Sequence, residues 1–266
     1  MRLRCIFGML LSCVAACTGP QTAGIPPDGP QTAEAVLAKA LTRPLPTSVQ
    51  GLGRLDSYVK GAARKADLLV VVRSPDALQL QVLSPTSDLL AVMSTDGKRF
   101  VTFERGGAEC HVGNACARNL ARMIPIAHHF SGPTPAPEQL VQALLGRPPL
   151  LDHPRKGLAW DDERGVYRID IGDPTAAHQE VFVHPGSFRF YGTVLYQGTR
   201  KLASVAYDGE VGSNGPPRTL RLRQPEQDLD VTVSLRDVEV GAAVDPTVFD
   251  VACPDGTKVI ELPCEP

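Results

Sequence analysis

The sequence predicts a mainly β protein with a few helices, in which one strongly curved antiparallel sheet carries helices on its concave side. Three observations lead to this fold class. The 24 glycines and 24 prolines, with only 5% aromatic residues, favour strands joined by tight turns over a helical bundle. Many short segments alternate apolar and polar residues with the period of two that is typical of strands. Only a few segments show the apolar spacing and the boundary residues of helices.

The N-terminus resembles the signal of a bacterial lipoprotein. Arg2 and Arg4 precede an apolar run that is too short to span a bilayer, which needs about 20 residues, and that has the length typical of a signal peptide. Residues 14–17, Val-Ala-Ala-Cys, are similar to the lipobox, in which the cysteine becomes the lipid-modified first residue of the mature chain. We therefore predict a signal peptide over residues 1–16 and an anchor of acyl chains, palmitate among them, on Cys17. An ordinary secretory signal that contains a cysteine is the alternative.

The rest of the chain divides into a tether and one domain. Residues 17–32 are rich in proline and glycine and have almost no large apolar side chain, which is typical of a flexible linker. Residues 33–266 show no break in composition and are predicted to form a single domain. The formal net charge of −2 and the absence of a basic tract argue against a nucleic-acid partner.

The first half is predicted to contain one helix and an antiparallel meander. Thr32 is a typical N-cap for a helix over residues 33–42, and Pro44 ends that helix. The strands that follow are separated by turns rich in Ser, Pro, Asp and Gly, and the Asp96-Gly97 pair favours a type I′ hairpin. The predicted strands are residues 50–60, 66–73, 77–83, 88–94 and 98–104.

The second half is predicted to return to strands after a helical interruption. Residues 105–118 have the character of a loop, and residues 119–130 carry part of a helical apolar face that Pro125 cuts short. A helix is predicted over residues 137–146, because it begins with Pro-Glu and ends at a glycine. The predicted strands are residues 157–162, 164–171, 178–184, 187–196, 201–208, 218–223, 229–240 and 257–262.

Four cysteines follow Cys17, namely Cys110, Cys116, Cys253 and Cys264. An even number of cysteines in an exported chain predicts two disulfides. Three pairings are possible. We expect the local one, which joins Cys110 to Cys116 and Cys253 to Cys264, because each bond would pin a short loop.

No metal, cofactor or catalytic site is predicted. A zinc site formed by Cys110, His111, Cys116, His128 and His129 is the alternative reading of this region. Its cysteines are separated by five residues and two of its histidines are adjacent, unlike the usual spacing of zinc ligands. The sequence also lacks the glycine-rich, nucleophile-elbow and metalloprotease motifs of common enzymes. We therefore predict a protein that is not an enzyme.

Several segments, taken in order, carry a family resemblance. They are the predicted helix 33–42 and residues 74–80, 95–100, 144–149, 245–249 and 254–260. Together they resemble the bacterial lipoprotein-localisation superfamily, the LolA/LolB-like proteins, over residues 37–262. The resemblance implies an incomplete, strongly bent antiparallel barrel, which helices close over an apolar cavity that holds acyl chains.

The candidate binding site is therefore the apolar concave face of the sheet. The alternation of residues 77–83 places three apolar side chains on one face and two glutamines on the other. The candidate lipid-binding residues are Leu68, Val70, Val72, Leu78, Leu80, Val82, Phe100 and Phe103. Binding of acyl chains there, in lipid or lipoprotein transport, is the predicted function. A structural or assembly lipoprotein that uses the same fold as a protein-interaction platform is the alternative.

The predicted location is the cell envelope. Thr18, which follows the lipidated cysteine, is not the aspartate that retains lipoproteins at the inner membrane, so the outer membrane is favoured. The expected partners are the membrane, through the lipid anchor, an acyl-chain ligand and an envelope protein.

Overall fold

The computed structural model describes residues 24–116, 119, 136–212 and 214–264, which form one large sheet and two α-helices. The helices are α1 (Ala33–Thr42) and α2 (Pro137–Leu144). The first strands are β1 (Ser48–Val59), β2 (Ala62–Arg73), β3 (Ala77–Leu83), β4 (Leu89–Thr95), β5 (Arg99–Glu104) and β6 (Glu109–Asn114). The later strands are β7 (Lys156–Asp161), β8 (Val166–Gly172), β9 (Ala177–Val183), β10 (Phe190–Gln197), β11 (Arg200–Asp208), β12 (Thr219–Gln224), β13 (Leu229–Val240) and β14 (Lys258–Leu262).

The strand order divides the sheet into two halves that meet at its centre. The order is β14-β6-β5-β4-β3-β2-β1-β13-β12-β11-β10-β9-β8-β7. The first six strands run outward from β1 as an antiparallel meander. The chain then begins again at the opposite edge with β7 and returns strand by strand until β13 pairs with β1. β14 adds a parallel strand beside β6. The predicted mainly β sheet with few helices is confirmed.

The predicted strands are all present, and their ends differ from the predicted ones by at most four residues. The alternation of apolar and polar residues predicted these strands, because each strand has one apolar face. The predicted loop over residues 105–118 is wrong, since six of its residues form β6. In β6 the buried Cys110 and Val112 alternate with Glu109 and His111, but the run is short and its pairing partner β14 lies far along the chain.

The Asp96-Gly97 turn is also different from the predicted type I′ hairpin. A type I′ turn needs a positive φ at both central residues, and of these two only Gly97 has one, at 90°. The Asp96 carboxylate instead accepts hydrogen bonds from the backbone N–H groups of Lys98 (2.8 Å) and Arg99 (2.7 Å), which builds a longer turn.

The helix α1 covers the half of the sheet that contains β8 to β11. Its N-cap is Thr32 as predicted, because the threonine hydroxyl accepts a hydrogen bond from the Ala35 N–H at 3.2 Å. The buried face of α1 includes Val36 and Leu37, which pack in one cluster with Ile169 of β8 and other apolar residues of this half. Burial of the apolar surface of this cluster stabilises this half of the domain.

The helix α2 covers part of the other half. Its Leu140 and Val141 pack in a second cluster with Val72 of β2 and Leu78 of β3. The helix ends before Gly146, whose φ of 94° is the left-handed conformation that favours glycine after a helix. The predicted helix over residues 137–146 is therefore confirmed. The predicted interruption over residues 119–130 lies outside the described residues, apart from residue 119. No helix in the described ranges is long and apolar enough to cross a membrane.

The two helices lie against one face of the sheet, called here the inner face, and the C-terminal segment 241–257 crosses the opposite, outer face. Phe249 is buried against Val71 and Ala77 there. Buried polar side chains fix the segment, because Gln79 donates to the Val248 carbonyl and Ser94 donates to the Phe249 carbonyl at 2.8 Å. This segment carries the chain from β13 at the centre to β14 at the edge.

The disulfides join distant parts of the chain, so the expected local pairing is wrong. Cys110 is bonded to Cys253, and Cys116 is bonded to Cys264. The reason is tertiary: β14 lies beside β6, which brings each cysteine next to a partner more than 140 residues away. These bonds use both cysteine sulfurs of the alternative zinc site, and His128 and His129 lie outside the described residues.

Removing a long-range disulfide should strongly destabilise the domain. Replacing Cys110 and Cys253 with alanine is expected to lower the free energy of unfolding by about 3 kcal/mol. Because Cys116–Cys264 stays intact, the lost bond closes a loop of only about 19 residues (110–116 and 253–264) in the unfolded chain. Urea unfolding of the oxidised protein measures the loss. Peptide mapping without reductant provides the control, and a peptide that links Cys110 to Cys116 would contradict the structure.

Candidate functional site

The candidate site lies on the inner face, between the parts of the sheet that α1 and α2 cover. The register places Leu55 of β1 opposite Val233 of β13, and Val233 opposite Leu220 of β12. Cross-strand partners point to the same face of a sheet, so these apolar side chains form a continuous surface. They stay partly exposed, while the inner-face residues beneath the helices are buried.

This surface is the floor of a cavity of about 980 Å³, called here the central cavity. Its volume is at the upper end of the roughly 300–1,000 Å³ that is typical of ligand pockets. Most of the lining side chains are aliphatic or aromatic. They include Leu55, Val59, Leu68, Leu80, Val82, Met93, Phe100, Val205, Leu220, Leu222, Leu229, Val231 and Val233 from the sheet, with Leu140, Ala143 and Leu144 from α2.

The predicted lipid-binding residues divide into two groups. Leu68, Leu80, Val82 and Phe100 are on the inner face and line the central cavity. The others on that face are buried in the cluster beneath α2 and form core rather than cavity wall; they are Val70, Val72 and Leu78. Their role in binding acyl chains stays a prediction.

Phe103 does not belong with the inner-face residues. It borders the central cavity, but it lies three residues after Phe100 on the same strand, and a period of two sends the two side chains to opposite faces. The Phe103 side chain packs in the outer-face cluster with Val92, Val101 and the disulfide-bonded Cys110. Its prediction as an inner-face residue is wrong, because the pleat of β5 turns its side chain to the outer face.

The residues that the sequence-based prediction missed are those of the central strands. Leu229, Val231 and Val233 alternate with polar residues along β13, and Leu220 and Leu222 alternate with arginines along β12. The alternation could have identified them. What the sequence did not show is that β13 closes on β1, which places these side chains next to the predicted ones.

One side of the central cavity is polar. Glu104, Glu109 and His111, from the ends of β5 and β6 that face each other, line it there. His111 Nε2 lies 3.6 Å from Glu109 Oε2. The site thus combines a long apolar floor with a charged edge, an arrangement suited to a ligand that has an apolar tail and a polar end. Within the described residues no group of three or more His, Cys, Asp and Glu side chains is placed to hold a metal ion.

The floor strands are joined on the outer face by a charged cluster. The Asp230 carboxylate of β13 accepts hydrogen bonds from Arg221 Nε at 2.8 Å and from Arg223 Nε at 3.0 Å, both on β12. The hydrogen bonds from Arg221, and then those from Arg223, hold the pKa of Asp230 below its usual value. The cluster therefore helps to fix the pairing of the strands that carry Leu220, Leu222 and Val231 on the other face.

Comparison with known proteins gives a similarity of fold. No family model matches the sequence, and no curated protein matches it. A DUF1329 family protein from Desulfovibrio piger superposes with a TM-score of 0.53 at 8% identity, over 81% of this chain and 96% of that chain. A protein domain from Vibrio parahaemolyticus, named for outer membrane lipoprotein sorting, superposes with a TM-score of 0.51 at 10% identity, over 82% of this chain and 95% of that chain.

The chain has the fold of these two proteins. A LolA superfamily protein from Nitrosomonas europaea also aligns, at 13% identity and a TM-score of 0.49, over 82% of this chain and 97% of that chain. At the level of the fold, the first two similarities support the resemblance that the order of segments in the sequence indicates.

Core and cavity wall should respond differently to truncation. Leu78→Ala is expected to lower the free energy of unfolding by about 2–5 kcal/mol, because Leu78 is fully buried and its loss leaves a void. Leu222→Ala should cost only about 1 kcal/mol, because this side chain is partly exposed to an existing cavity. Urea unfolding of both variants makes the comparison. Equal losses would mean that Leu222 is packed as core and that the central cavity is closed in solution.

The Asp230 cluster should contribute stability that depends on pH. A carboxylate with a depressed pKa in the folded state stabilises the fold above the unfolded pKa of about 3.9, and this contribution is lost as the pH falls through the folded pKa. Asp230→Asn is therefore expected to cost about 1 kcal/mol at pH 7 and less below about pH 4. Thermal unfolding of both proteins between pH 3 and pH 7 tests this, and a difference that is constant over the whole range would contradict it.

Proposed function

We propose that this protein is a lipid-anchored protein of the cell envelope that binds the acyl chains of a lipid or lipoprotein in the central cavity and takes part in their transport. The observation that carries the proposal is the floor of the central cavity, where partly exposed apolar side chains of β1, β12 and β13 line about 980 Å³. Such a continuous apolar surface, kept from full burial, is typical of a binding site.

The energetics suit an acyl chain. Each methylene that leaves water for an apolar surface contributes about 0.8 kcal/mol. Eight methylenes would contribute about 6 kcal/mol, which corresponds to a dissociation constant of tens of micromolar. The apolar lining from Leu55 to Leu222 offers contacts along a chain, and the charged side chains are confined to the edge that Glu104, Glu109 and His111 form. The proposed activity is therefore binding and release, with no bond made or broken.

The fold similarity supports the same class of function. The Vibrio parahaemolyticus domain is named for the sorting of outer membrane lipoproteins, a task in which lipid-modified chains must be shielded from water. The extension of that task to this chain is our proposal, and it depends on the central cavity as well as on the shared fold.

The proposed location rests on the N-terminal sequence and on the cysteines. The lipobox-like residues 14–17 are the basis for a lipid anchor on Cys17, and Thr18 is the basis for the outer membrane. The bonds Cys110–Cys253 and Cys116–Cys264 fit an oxidising compartment outside the cytoplasm.

Native mass spectrometry is the direct test of the proposed ligand. Residues 18–266 would be secreted into an oxidising compartment, purified without detergent, and measured before and after extraction with organic solvent. We expect an added mass of a phospholipid or fatty acid that extraction removes. A mass without ligand, together with no binding of added lipid, would refute acyl binding and favour the protein-interaction platform.

Filling the central cavity should abolish this binding without unfolding the protein. Val231→Trp places a large side chain on the floor, and we expect at least a tenfold loss of bound lipid. The matched control is Thr232→Trp, one residue along the same strand, where the side chain points to the outer face. Circular dichroism checks the fold of both variants. Equal loss of lipid in both would show that the effect comes from the strand and not from the central cavity.

A further inference from the structure

A second, smaller pocket lies beside the C-terminal ends of α1 and α2 and has a volume of about 140 Å³. We name it the arginine pocket after three residues of its wall. Its charged and hydroxyl-bearing wall residues include Arg43, Arg147, Arg189, Tyr207, Asp208 and Glu210. The arginine pocket is separate from the central cavity, although β11 contributes to both, through Tyr207 here and Val205 there.

Arg147 brings a positive charge that has no carboxylate partner in the described part of the chain. Its Nη2 donates to the carbonyls of Leu41 and Arg43, both at 2.8 Å, at the end of α1. Its Nε is buried, and among the described residues it has no hydrogen-bond partner. Burial also lowers the pKa of Arg147, although the residue as a whole is only partly buried.

Tyr207 brings a second unused donor. The side chain is 95% buried, since its relative exposure is 5%, and its hydroxyl has no hydrogen-bond partner within residues 24–116, 119, 136–212 and 214–264. Leaving such a buried group unpaired destabilises the folded protein. Arg147 and Tyr207 are therefore two wall residues of one small pocket, and each carries a buried donor that has no partner among the described residues.

The remaining charges leave the arginine pocket positive. Glu210 is shared by two arginines, with Arg43 Nη2 at 3.2 Å from one carboxylate oxygen and Arg189 Nη1 at 3.0 Å from the other. Asp208 also lines the pocket. Three arginines thus face two carboxylates, which leaves one net positive charge.

We propose that the arginine pocket is a second binding site, which takes a compact oxyanion of the phosphate type. An oxyanion carries only acceptors, which Arg147 Nε and the Tyr207 hydroxyl lack, and its charge matches that of the wall. The volume of the arginine pocket is large enough for a phosphate ion, because a cavity of about 150 Å³ accommodates a molecule of the size of benzene. The shared chemistry is the phosphate group, either as the free ion or as the head group of a lipid.

Thermal unfolding of the full chain in a nonionic detergent tests the site. The probe is inorganic phosphate, in a concentration series compared with chloride at equal ionic strength. A ligand that binds only the folded state raises the melting temperature, and above its dissociation constant the rise continues with the logarithm of the ligand concentration. We expect this rise with phosphate, and we expect Tyr207→Phe to weaken the apparent affinity about tenfold, since it removes one hydrogen bond to a charged group.

Two further variants separate the site from general effects. Tyr196→Phe deletes a tyrosine hydroxyl that already donates to Glu180 on the outer face, and it should leave phosphate binding unchanged. Arg147→Lys keeps the charge but removes Nε, and it should weaken binding as Tyr207→Phe does. Val231→Trp fills the central cavity and should not affect free phosphate, so the failure of acyl binding and the failure of this site are distinguishable.

A second experiment, with a soluble short-chain phospholipid, identifies the source of the phosphate group. Binding of free phosphate that depends on Tyr207 supports a site for the ion. Binding of the phospholipid alone, with the same dependence on Tyr207, supports a head-group site. If neither ligand stabilises the protein, or if both stabilise the wild type and Tyr207→Phe equally, the proposal is overturned. In that case Tyr207→Phe should only raise the stability, because it removes an unsatisfied buried hydroxyl.

Discussion

The structure depends on one constraint, which is that, within the described residues, only two short helices cover the inner face of a sheet of fourteen strands. With a rise of 1.5 Å per residue, α1 is about 15 Å long and α2 about 12 Å. Neighbouring strands lie about 4.8 Å apart, so each helix covers no more than three or four of them. The strands at the centre, β1, β12 and β13, are left with apolar side chains that no described part of the chain buries completely. The central cavity follows from this shortage of cover.

The outer face of the sheet is kept from exposing a large apolar surface in two ways, one in each half. Over β2 to β6 the C-terminal segment supplies the cover, with Phe249 buried against the sheet and Cys253 bonded to Cys110. Over β12 and β13 the outer face is charged. The Asp230 carboxylate accepts hydrogen bonds from Arg221 and Arg223 there, and such a polar surface can stay in contact with water. The floor of the central cavity is therefore supported from behind by ion pairs in water and not by a second apolar layer.

The two pockets have opposite characters although they share structural elements. In α2, Leu140, Ala143 and Leu144 line the central cavity, while the turn after the helix, with Gly146 and Arg147, forms part of the arginine pocket. The central cavity is lined mainly by apolar side chains, and the arginine pocket carries a net positive charge. A protein that handles molecules with an apolar tail and a polar end would use both kinds of surface, and their proximity along α2 and β11 is a consequence of how α2 ends.

The sequence by itself determined the position of almost every helix and strand, because these depend on local periodicity, on the N-cap Thr32 and on Gly146. It also determined that residues such as Leu80 and Val82 share one face. Only the tertiary structure decided which apolar residues are core and which line the cavity, since that depends on where α2 lies over Leu78 and on β13 closing against β1. The pairing of Cys110 with Cys253 was likewise beyond the sequence, because it requires β14 to lie beside β6. The meeting of Arg147 and Tyr207 in one pocket has the same origin. Local patterns fix which side of a strand is apolar, whereas contacts between distant segments fix what each side touches.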